Sequence, residues 1–415
     1  MKNESAPPAS RERRWLAALL LAGLVLRAAY CWKFPQWGPN RSIPDLNWYE
    51  TIAESIYHRG IIADPAGNPT AAREPGYPVL LAAAYLVSGP SYRAGQAINC
   101  LFGLLTIALV FLLGREIFGR RTAWLAAVIA TFYPQFLYYT ATQERETFQT
   151  FLLAFTVWLV LRAARSSSLR AWAWPGLAAG GCALTNSALL PAGLMLAPAI
   201  VCLGMRTKRE HFKGAIVYLG VMLSLCSVWT VRNERLFHRF ILGINGGGAH
   251  MYIGIIVPND VAGTDAEPGY VTRDPVVQEA SKLPETERDR VFYRGALRFI
   301  REQPARYAGF VLRSFAKLWR LYPYARAYAF HYRLIKWIGL LSDGWIIPLG
   351  FVGMLLAGRR YPEADLFLVT VFSVTFTYML FWSIIRYRLP MMPFMILFCA
   401  HALDVIASRL EEKAS

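Results

Sequence analysis

The chain alternates between apolar blocks, roughly 17–22 residues long, and shorter polar stretches, a block length close to what a helix needs to cross a bilayer core. We therefore predict an all-α, polytopic membrane protein with about ten transmembrane helices. The predicted spans are 15–32, 94–113, 122–140, 147–163, 172–186, 188–205, 214–231, 337–357, 365–383 and 389–406.

The polar stretches between the spans predict the orientation through the positive-inside rule. With the N-terminus inside, the segments 114–121, 162–170, 205–214 and 357–363 all fall on the cytoplasmic side, and each is rich in Lys or Arg. The apolar stretch 79–88 is too short for a crossing, so we interpret it as re-entrant or interfacial. If it crossed, most of the basic loops would face outward. Both termini are therefore expected in the cytoplasm.

Four regions follow from this topology. They are a cytoplasmic lead (1–14), an N-terminal transmembrane module (15–231) with a first outer loop (33–93), a long outer segment (232–336), and a C-terminal transmembrane module with a short tail (337–415). In the long segment, a Gly-rich run at 243–250 has no helix signal after it and predicts a flexible loop. A stretch of Arg and aromatic residues from about Glu285 predicts a pair of amphipathic surface helices.

Composition supports the membrane class and argues against nucleic acid as a partner. The chain is 55% hydrophobic and 17% charged, and its formal charge of +17 comes mainly from the loops between spans. The six cysteines lie within or beside apolar segments and lack metal-ligand spacing, so they predict neither a disulfide framework nor a metal site. The lipid bilayer is the expected surrounding.

The first outer loop opens with a short amphipathic pattern after Pro44. Asn47 and Glu50 fit a capping box, apolar residues including Tyr49 recur on one face, and Gly60 ends the pattern. We predict an interfacial helix, because the segment is too short and too charged to span a bilayer.

Ionisable residues collect at the outer ends of the predicted spans, where isolating a charge is costly and function is the default hypothesis. The residues in this set are Asp45, Arg73, Glu74, Gln143, Glu144, Arg145, Glu146, Arg232, Asn233, Arg386 and Arg388. Carboxylates facing several arginines would suit sugar transfer from a phosphate-linked donor.

Six segments, taken in order, resemble the GT-C superfamily of integral-membrane glycosyltransferases. The branch in question is the bacterial one that is similar to protein O-mannosyltransferases and to the aminoarabinose transferase of lipid A. The segments are PDLNWYETIAESI (44–56), REPGYPVLLA (73–82), LLGREIFGRRTAWLAAVIATFYP (112–134), RETFQTFLLAF (145–155), VWTVRN (228–233) and IRYRLPMMPFMILF (385–398).

The resemblance implies a GT-C-like bundle, a polyprenyl-phosphate-linked sugar donor, inversion at the anomeric carbon and a periplasmic active site in the bacterial inner membrane. It matches Asp45 to the motif's catalytic acidic residue and places Glu146, rather than Glu144, on the motif of the second outer turn. The acceptor, whether lipid, glycan or protein, stays open.

The chemistry of such a transfer agrees with these residue types. A polyprenyl phosphate is a good leaving group, so the protein must supply a base for the acceptor, and we predict Asp45 in that role. Arginines suit the departing phosphate through bidentate contacts. We predict Glu146 as the second catalytic residue, orienting the acceptor or bracing an arginine. The predicted substrate-binding set is Arg73, Glu74, Tyr77, Arg232, Asn233, Arg386 and Arg388.

No cofactor is predicted. The outer acids could bind a divalent ion, but they include no tight Asp-x-Asp cluster and arginine is abundant, so a metal-independent reaction is favoured.

Structural roles compete with each of these assignments. Asp45 could simply cap a helix, Glu146 could favour a helix dipole, and Arg386 and Arg388 could extend from a helix end to the headgroups. Arg73 could pair with Glu74 or with a headgroup.

Two functions of other classes also remain open. A transporter or flippase of lipid-linked glycans would be expected to carry mid-membrane charges and repeated halves. Mid-span segments such as 100–112 and 365–380 carry almost no charge, and no convincing internal repeat is present. A non-catalytic subunit that scaffolds envelope enzymes is the third hypothesis.

Overall fold

The computed structural model describes residues 9–33, 44–203, 208–258, 261, 267–323 and 332–414, and the side chains of 9–10, 44–47, 208, 267, 286, 359 and 414 lie outside that description. Regular structure in these ranges is helical, apart from an isolated bridge between Ala63 and Pro69. The helices are α1 (Ala9–Lys33), α2 (Pro44–Arg59), α3 (Gly76–Ser88), α4 (Tyr92–Ile117), α5 (Arg120–Phe132), α6 (Pro134–Thr140), α7 (Glu146–Ala164), α8 (Ala173–Thr185), α9 (Leu190–Cys202), α10 (Lys208–Phe237), α11 (Gly247–Ile256), α12 (Glu267–Val271), α13 (Pro275–Ser281), α14 (Glu285–Glu302), α15 (Pro304–Leu318), α16 (Tyr332–Ala357), α17 (Asp365–Leu380) and α18 (Met392–Ala414).

Seven helices in the described ranges are long and apolar enough to cross a membrane: α1, α4, α7, α10, α16, α17 and α18. The all-α prediction is confirmed. The other three predicted spans are shorter pieces. Pro134 divides 122–140 into α5 and α6, because proline lacks an amide donor and the residue before it, Tyr133, is extended. Asn186 separates α8 from the helical turn that leads into α9.

The core is built around α18, whose residues from Met392 to Ala400 are buried. Helix α16 lies directly against it. A Cβ atom added at Gly353 would lie 1.9 Å from the carbonyl oxygen of Phe398, so only glycine permits this close approach. The two helices therefore form a tightly packed pair in the C-terminal half of the bundle.

Helices α2 and α3 pack against each other in the first outer loop. The rings of Tyr49 and Tyr77 meet edge to face at 5.5 Å, and both side chains are buried. The predicted helix is confirmed as α2, and it ends before Gly60 at a positive φ of 69°. It begins at Pro44, three residues before the expected capping residue Asn47, so Asn47 lies in its first turns. Helix α3 has 13 residues and is too short to cross, in agreement with the prediction for 79–88.

The long segment after α10 contains the predicted pair of amphipathic helices, α14 and α15. The prediction of a flexible Gly-rich loop at 243–250 is wrong in part, because α11 begins at Gly247. The carboxylate of Asp289, on α14, accepts hydrogen bonds from the backbone amides of Gly248 at 2.8 Å and Ala249 at 3.4 Å. This cap comes from another helix, so the local sequence gives no sign of it.

The long segment is also joined to the first outer loop. Glu285, at the start of α14, accepts hydrogen bonds from the hydroxyl of Thr70 at 2.9 Å, the amide of Ala71 at 3.2 Å and the side chain of Asn245 at 3.2 Å. The amide of Asn245 donates to the carbonyl of Ala71 at 2.8 Å. These contacts hold the two outer regions together over the ends of the spans.

A buried ion pair fixes the approach to α18. Arg388 is fully buried and its guanidinium binds Asp343 of α16 and the carbonyl oxygens of Leu318 and Arg320. The same carboxylate accepts hydrogen bonds from Tyr133 at 2.6 Å and Gln135 at 2.8 Å. The pair thus joins α16, the α5–α6 junction and the segment before α18.

We expect Arg388→Met to lower the unfolding temperature in detergent, because it leaves the Asp343 carboxylate buried without its cation. Losing one partner of a buried pair costs on the order of 3–5 kcal/mol. Arg409→Met, at an exposed arginine near the end of α18, is the matched control and should have little effect. The double variant Asp343→Leu, Arg388→Met should recover much of the loss. A double variant as unstable as Arg388→Met alone would contradict this role for the pair.

Candidate active site

Three segments meet at the candidate site, and each lies where a helix starts. They are 73–77, which leads into α3, 142–146, which leads into α7, and 384–388, which leads towards α18. The three segments lie next to one another, so their polar side chains come together. The arrangement brings Glu74, Arg145, Glu146 and Arg386 into one charged cluster.

Glu74 is the most strongly bound carboxylate of the cluster. It is 2% exposed, its Oε2 lies 2.6 Å from a guanidinium nitrogen of Arg145, and its Oε1 accepts hydrogen bonds of 2.7 Å from both the amide and the hydroxyl of Ser187. Burial raises the pKa of Glu74, but Arg145 and the Ser187 hydrogen bonds outweigh it, so the pKa lies below its ordinary value. Glu74 is therefore a fixed anion that joins the first loop to α7 and α9.

Arg386 lies between two acids of the second outer turn. One of its guanidinium nitrogens is 3.1 Å from Glu144, and its Nε is 3.8 Å from Oε1 of Glu146. Both carboxylates are buried, whereas 29% of the Arg386 side chain stays exposed. Within the part of the chain that the structure describes, Oε2 of Glu146 has no hydrogen-bond partner. This part of the site can accept a further polar group, and its arginine is accessible to a ligand.

Aromatic residues line the cluster on the side of the first loop. The guanidinium of Arg145 lies 6.0 Å from the ring centre of Tyr49, and that of Arg73 lies 5.6 Å from the ring centre of Trp48. Arg73 also donates to the carbonyl of Ala72 at 2.9 Å. Tyr77 is 1% exposed beneath Tyr49, so it supports the loop from below.

Arg232 and Asn233 lie apart from the ion-paired cluster, at the end of α10. Arg232 donates to the carbonyls of Thr70 at 2.8 Å and Ile62 at 3.0 Å, and to Asn233 at 2.8 Å. Asn233 is fully buried and donates to the carbonyl of Ile241. These residues hold the first loop onto α10. Arg388 also lies outside the cluster, in the buried pair with Asp343.

The predicted base lies on a described helix, but its side chain does not belong to the described residues. Asp45 is the second residue of α2, so the alternative that it is the N-cap does not fit the observed start at Pro44. Its role and its distance from the cluster stay predictions. Among the described side chains, no group of three or more His, Cys, Asp or Glu is placed to hold a metal ion.

Sequence reasoning missed three contributors to the cluster. Glu144 and Arg145 were visible as charges in a tight outer turn, but the motif directed the choice to Glu146. Ser187 carries no signal in the sequence, because its role depends on the backbone turn between α8 and α9. Outside the cluster, sequence reasoning also missed Asp343, the partner of Arg388, which could have been noticed as an acid inside an apolar helix.

Comparison with known proteins identifies the fold. Residues 70–231 match the family model described as dolichyl-phosphate-mannose-protein mannosyltransferase. No curated protein matches the chain. The archaeal oligosaccharyltransferase AglB from Archaeoglobus fulgidus, in complex with an inhibitory peptide and a dolichol-phosphate, superposes with a TM-score of 0.59 at 15% identity. The match covers 97% of this chain and 51% of AglB.

The chain has a GT-C fold. The resemblance stated from the sequence is thereby confirmed at the level of fold. A second structure of the A. fulgidus enzyme, with zinc and sulfate, gives a TM-score of 0.58 at 17% identity over 94% of this chain and 49% of that one. The match to ArnT from Cupriavidus metallidurans bound to undecaprenyl phosphate covers 94% of this chain and 77% of ArnT at 15% identity, with a TM-score of 0.44. The chain spans about half the length of the oligosaccharyltransferase, with 51% of it covered.

The lowered pKa of Glu74 predicts how stability depends on pH. Because folding favours the charged form, the contribution of Glu74 is complete above its ordinary pKa of 4.5 and is lost as the pH falls through the lowered value. Glu74→Gln should be less stable at neutral pH by about 2 kcal/mol, since it removes charge-assisted hydrogen bonds. The difference should shrink on acidification.

Unfolding temperatures of both proteins measured from neutral pH to below 4.5 test this expectation. Asp64→Asn, at a carboxylate whose hydrogen bonds stay within the loop, is the control. Curves for Glu74→Gln and the unchanged protein that run parallel at all pH values would contradict the assignment.

Proposed function

We propose that this GT-C protein transfers a sugar from a polyprenyl-phosphate-linked donor to an acceptor, with inversion at the anomeric carbon. The observation that carries the proposal is the cluster of paired carboxylates and arginines at the loop ends of a GT-C fold. The loops that carry Glu74, Glu144 and Arg145 lie inside the stretch that matches the mannosyltransferase family model. Arginine and carboxylate side chains together provide what phosphate departure and acceptor activation need.

Asp45 is proposed as the general base, because the paired acids are poorly suited to that role. Glu74 is held as an anion by Arg145 and Ser187, and its lowered pKa makes it a weak proton acceptor. Glu144 is paired with Arg386. Asp45 precedes Tyr49 by four residues on α2, one helical turn or about 6 Å along the axis, and Tyr49 lies over Arg145. This spacing supports a base at the edge of the cluster.

Arg386 is proposed as the main contact for the departing phosphate. It is partly exposed and lies at the cluster, and its charge faces two buried carboxylates that orient it. Arg73 is the second candidate. Arg232 uses its donors on backbone carbonyls, and Arg388 is fully buried against Asp343, so we propose that both support the site without binding substrate.

Glu146 is proposed to brace Arg386 and, through its unpartnered oxygen, to orient the acceptor. The Arg386 guanidinium balances part of the charge of Glu144 and Glu146, which reduces the need for a divalent ion. We therefore propose a metal-independent reaction.

The cellular setting is also part of the proposal. The basic loops support an orientation with both termini in the cytoplasm. The resemblance to the bacterial GT-C branch supports an inner-membrane protein with a periplasmic site. The chain corresponds to only about half of the oligosaccharyltransferase, 51% of its length, so a peptide acceptor does not carry over from that enzyme. The sugar and the choice among lipid, glycan and protein acceptors remain to be identified by mass spectrometry of envelope glycans with and without the protein.

Asp45→Asn should abolish most transfer from a labelled polyprenyl-phosphate sugar while donor binding persists. The expected decrease in kcat is about 10²-fold or more, the usual contribution of a positioned base. Asp64→Asn changes a carboxylate of the same loop and should leave kcat unchanged. Full activity of Asp45→Asn would remove the base assignment. Movement of the intact lipid-linked sugar across vesicles without transfer would favour a flippase instead.

Arg386→Gln should lower kcat for transfer by about 10²-fold, because the charge that develops on the leaving phosphate loses a fixed donor. Arg386→Lys should recover part of this loss. Arg93→Gln, at an exposed arginine at the start of α4, is the control.

A chelator should leave the unchanged protein fully active. Loss of activity on chelation, restored by a divalent ion, would overturn the metal-independent mechanism.

A further inference from the structure

Helix α14 carries an exposed row of arginines that the proposed reaction does not use. Its members, Arg290, Arg294, Arg298 and Arg301, follow a spacing of four, four and three residues. At 3.6 residues per turn they fall within about 80° of the helix circumference. We call this row the α14 arginine stripe. It lies on the side of α14 opposite the residues that pack inside the long segment.

The opposite face of α14 explains why the stripe points to solvent. Val291, Phe292 and Ala296 are buried against α11 and α13, where Tyr252 and Ala280 complete a small apolar cluster. This packing fixes the orientation of α14 about its own axis, so that the arginine stripe is exposed. Asp289 strengthens this anchor through the start of α11.

The four arginines of the stripe outnumber the two exposed carboxylates nearest to them on α14, Glu287 and Glu302. None of its four arginines forms an ion pair or a side-chain hydrogen bond with the residues that the structure describes. Four unneutralised cations on one helical face repel one another and attract a surface with several negative charges. A single phosphate would satisfy only one or two of them.

Apolar side chains accompany the stripe. Leu297 is 59% exposed within it, and on α15 the exposed residues Ala308, Leu312 and Phe315 follow one helical face. An exposed basic row beside an exposed apolar row is typical of helices that lie in the interface of a membrane rich in anionic lipids.

The position of the helix pair fits this occupant. The hydroxyl of Tyr307, in the first turn of α15, donates to the carbonyl of Leu380, the last residue of the candidate span α17, at 3.0 Å. The first turn of α15 therefore lies beside the end of a candidate span. A bilayer surface offers charged headgroups to the arginines of α14 and acyl chains to the apolar row of α15.

We infer that the α14 arginine stripe binds the headgroups of anionic phospholipids, with the apolar row of α15 seated among the acyl chains. This surface goes beyond the proposed glycosyl transfer and involves none of its residues. By holding α14, it would also hold the first loop, which Glu285 joins to the same helix.

Native mass spectrometry of the full chain in mild detergent, with phosphatidylglycerol or phosphatidylcholine added, tests the inference. The unchanged protein should retain phosphatidylglycerol in preference. The fourfold variant Arg290→Gln, Arg294→Gln, Arg298→Gln, Arg301→Gln should lose at least about tenfold in apparent affinity for it, since each cation near an anionic surface contributes roughly fivefold. Its affinity for phosphatidylcholine should not change.

Two further variants make the result specific. The corresponding fourfold Lys variant should keep the preference, because surface attraction depends on charge rather than on bidentate geometry. A matched control, Arg13→Gln, Arg14→Gln, Arg409→Gln, Lys413→Gln, removes the same charge from other exposed positions and should behave like the unchanged protein.

The inference is overturned if the fourfold Gln variant retains phosphatidylglycerol normally, or if the control loses it equally. It is also overturned if the Lys variant behaves like the Gln variant. Binding of soluble poly-glutamate that depends on the four arginines, without any dependence for phosphatidylglycerol, would assign the stripe to an acidic protein partner instead. Size-exclusion profiles and unfolding temperatures establish that each variant is folded.

Discussion

The buried contact of Glu74 with Arg145 and Ser187 is the constraint on which the site depends. A carboxylate that is 2% exposed must be balanced, and here the balance comes from two different parts of the chain. The segment before α3, the turn before α7 and the turn between α8 and α9 cannot separate without leaving a buried charge unpaired. The first outer loop is thus placed by electrostatics as well as by its tyrosine packing.

The arginines of this protein divide into two kinds by what their donors contact. Arg232 and Arg388 bind mainly backbone carbonyls or a fully buried acid, and so they stabilise chain reversals. Arg386 faces two carboxylates, yet part of its side chain stays accessible. The distinction explains how a helical bundle can carry many cations near the membrane while keeping few of them for a substrate.

The sequence predicts the fold class well because bilayer thickness imposes a length on apolar helices. The sequence predicts the positions at which helices are interrupted less well. Pro134 divides a predicted span, although its effect was available from the missing amide. The start of α11 depends on Asp289, some 40 residues further along the chain, so no local pattern could reveal it. The sequence also identified the charged residues at the outer ends of the spans, but not the residues with which they pair. Pairing such as that of Asp343 with Arg388 depends on how the helices pack.

The contact of Gly353 with the carbonyl of Phe398 has a consequence for motion. Two helices in backbone contact cannot slide or separate without opening a void in the densest part of the bundle. We therefore expect α16 and α18 to move as one rigid unit. Rearrangements are accommodated more easily where the contacts are individual hydrogen bonds, as between Glu285 of α14 and the first outer loop.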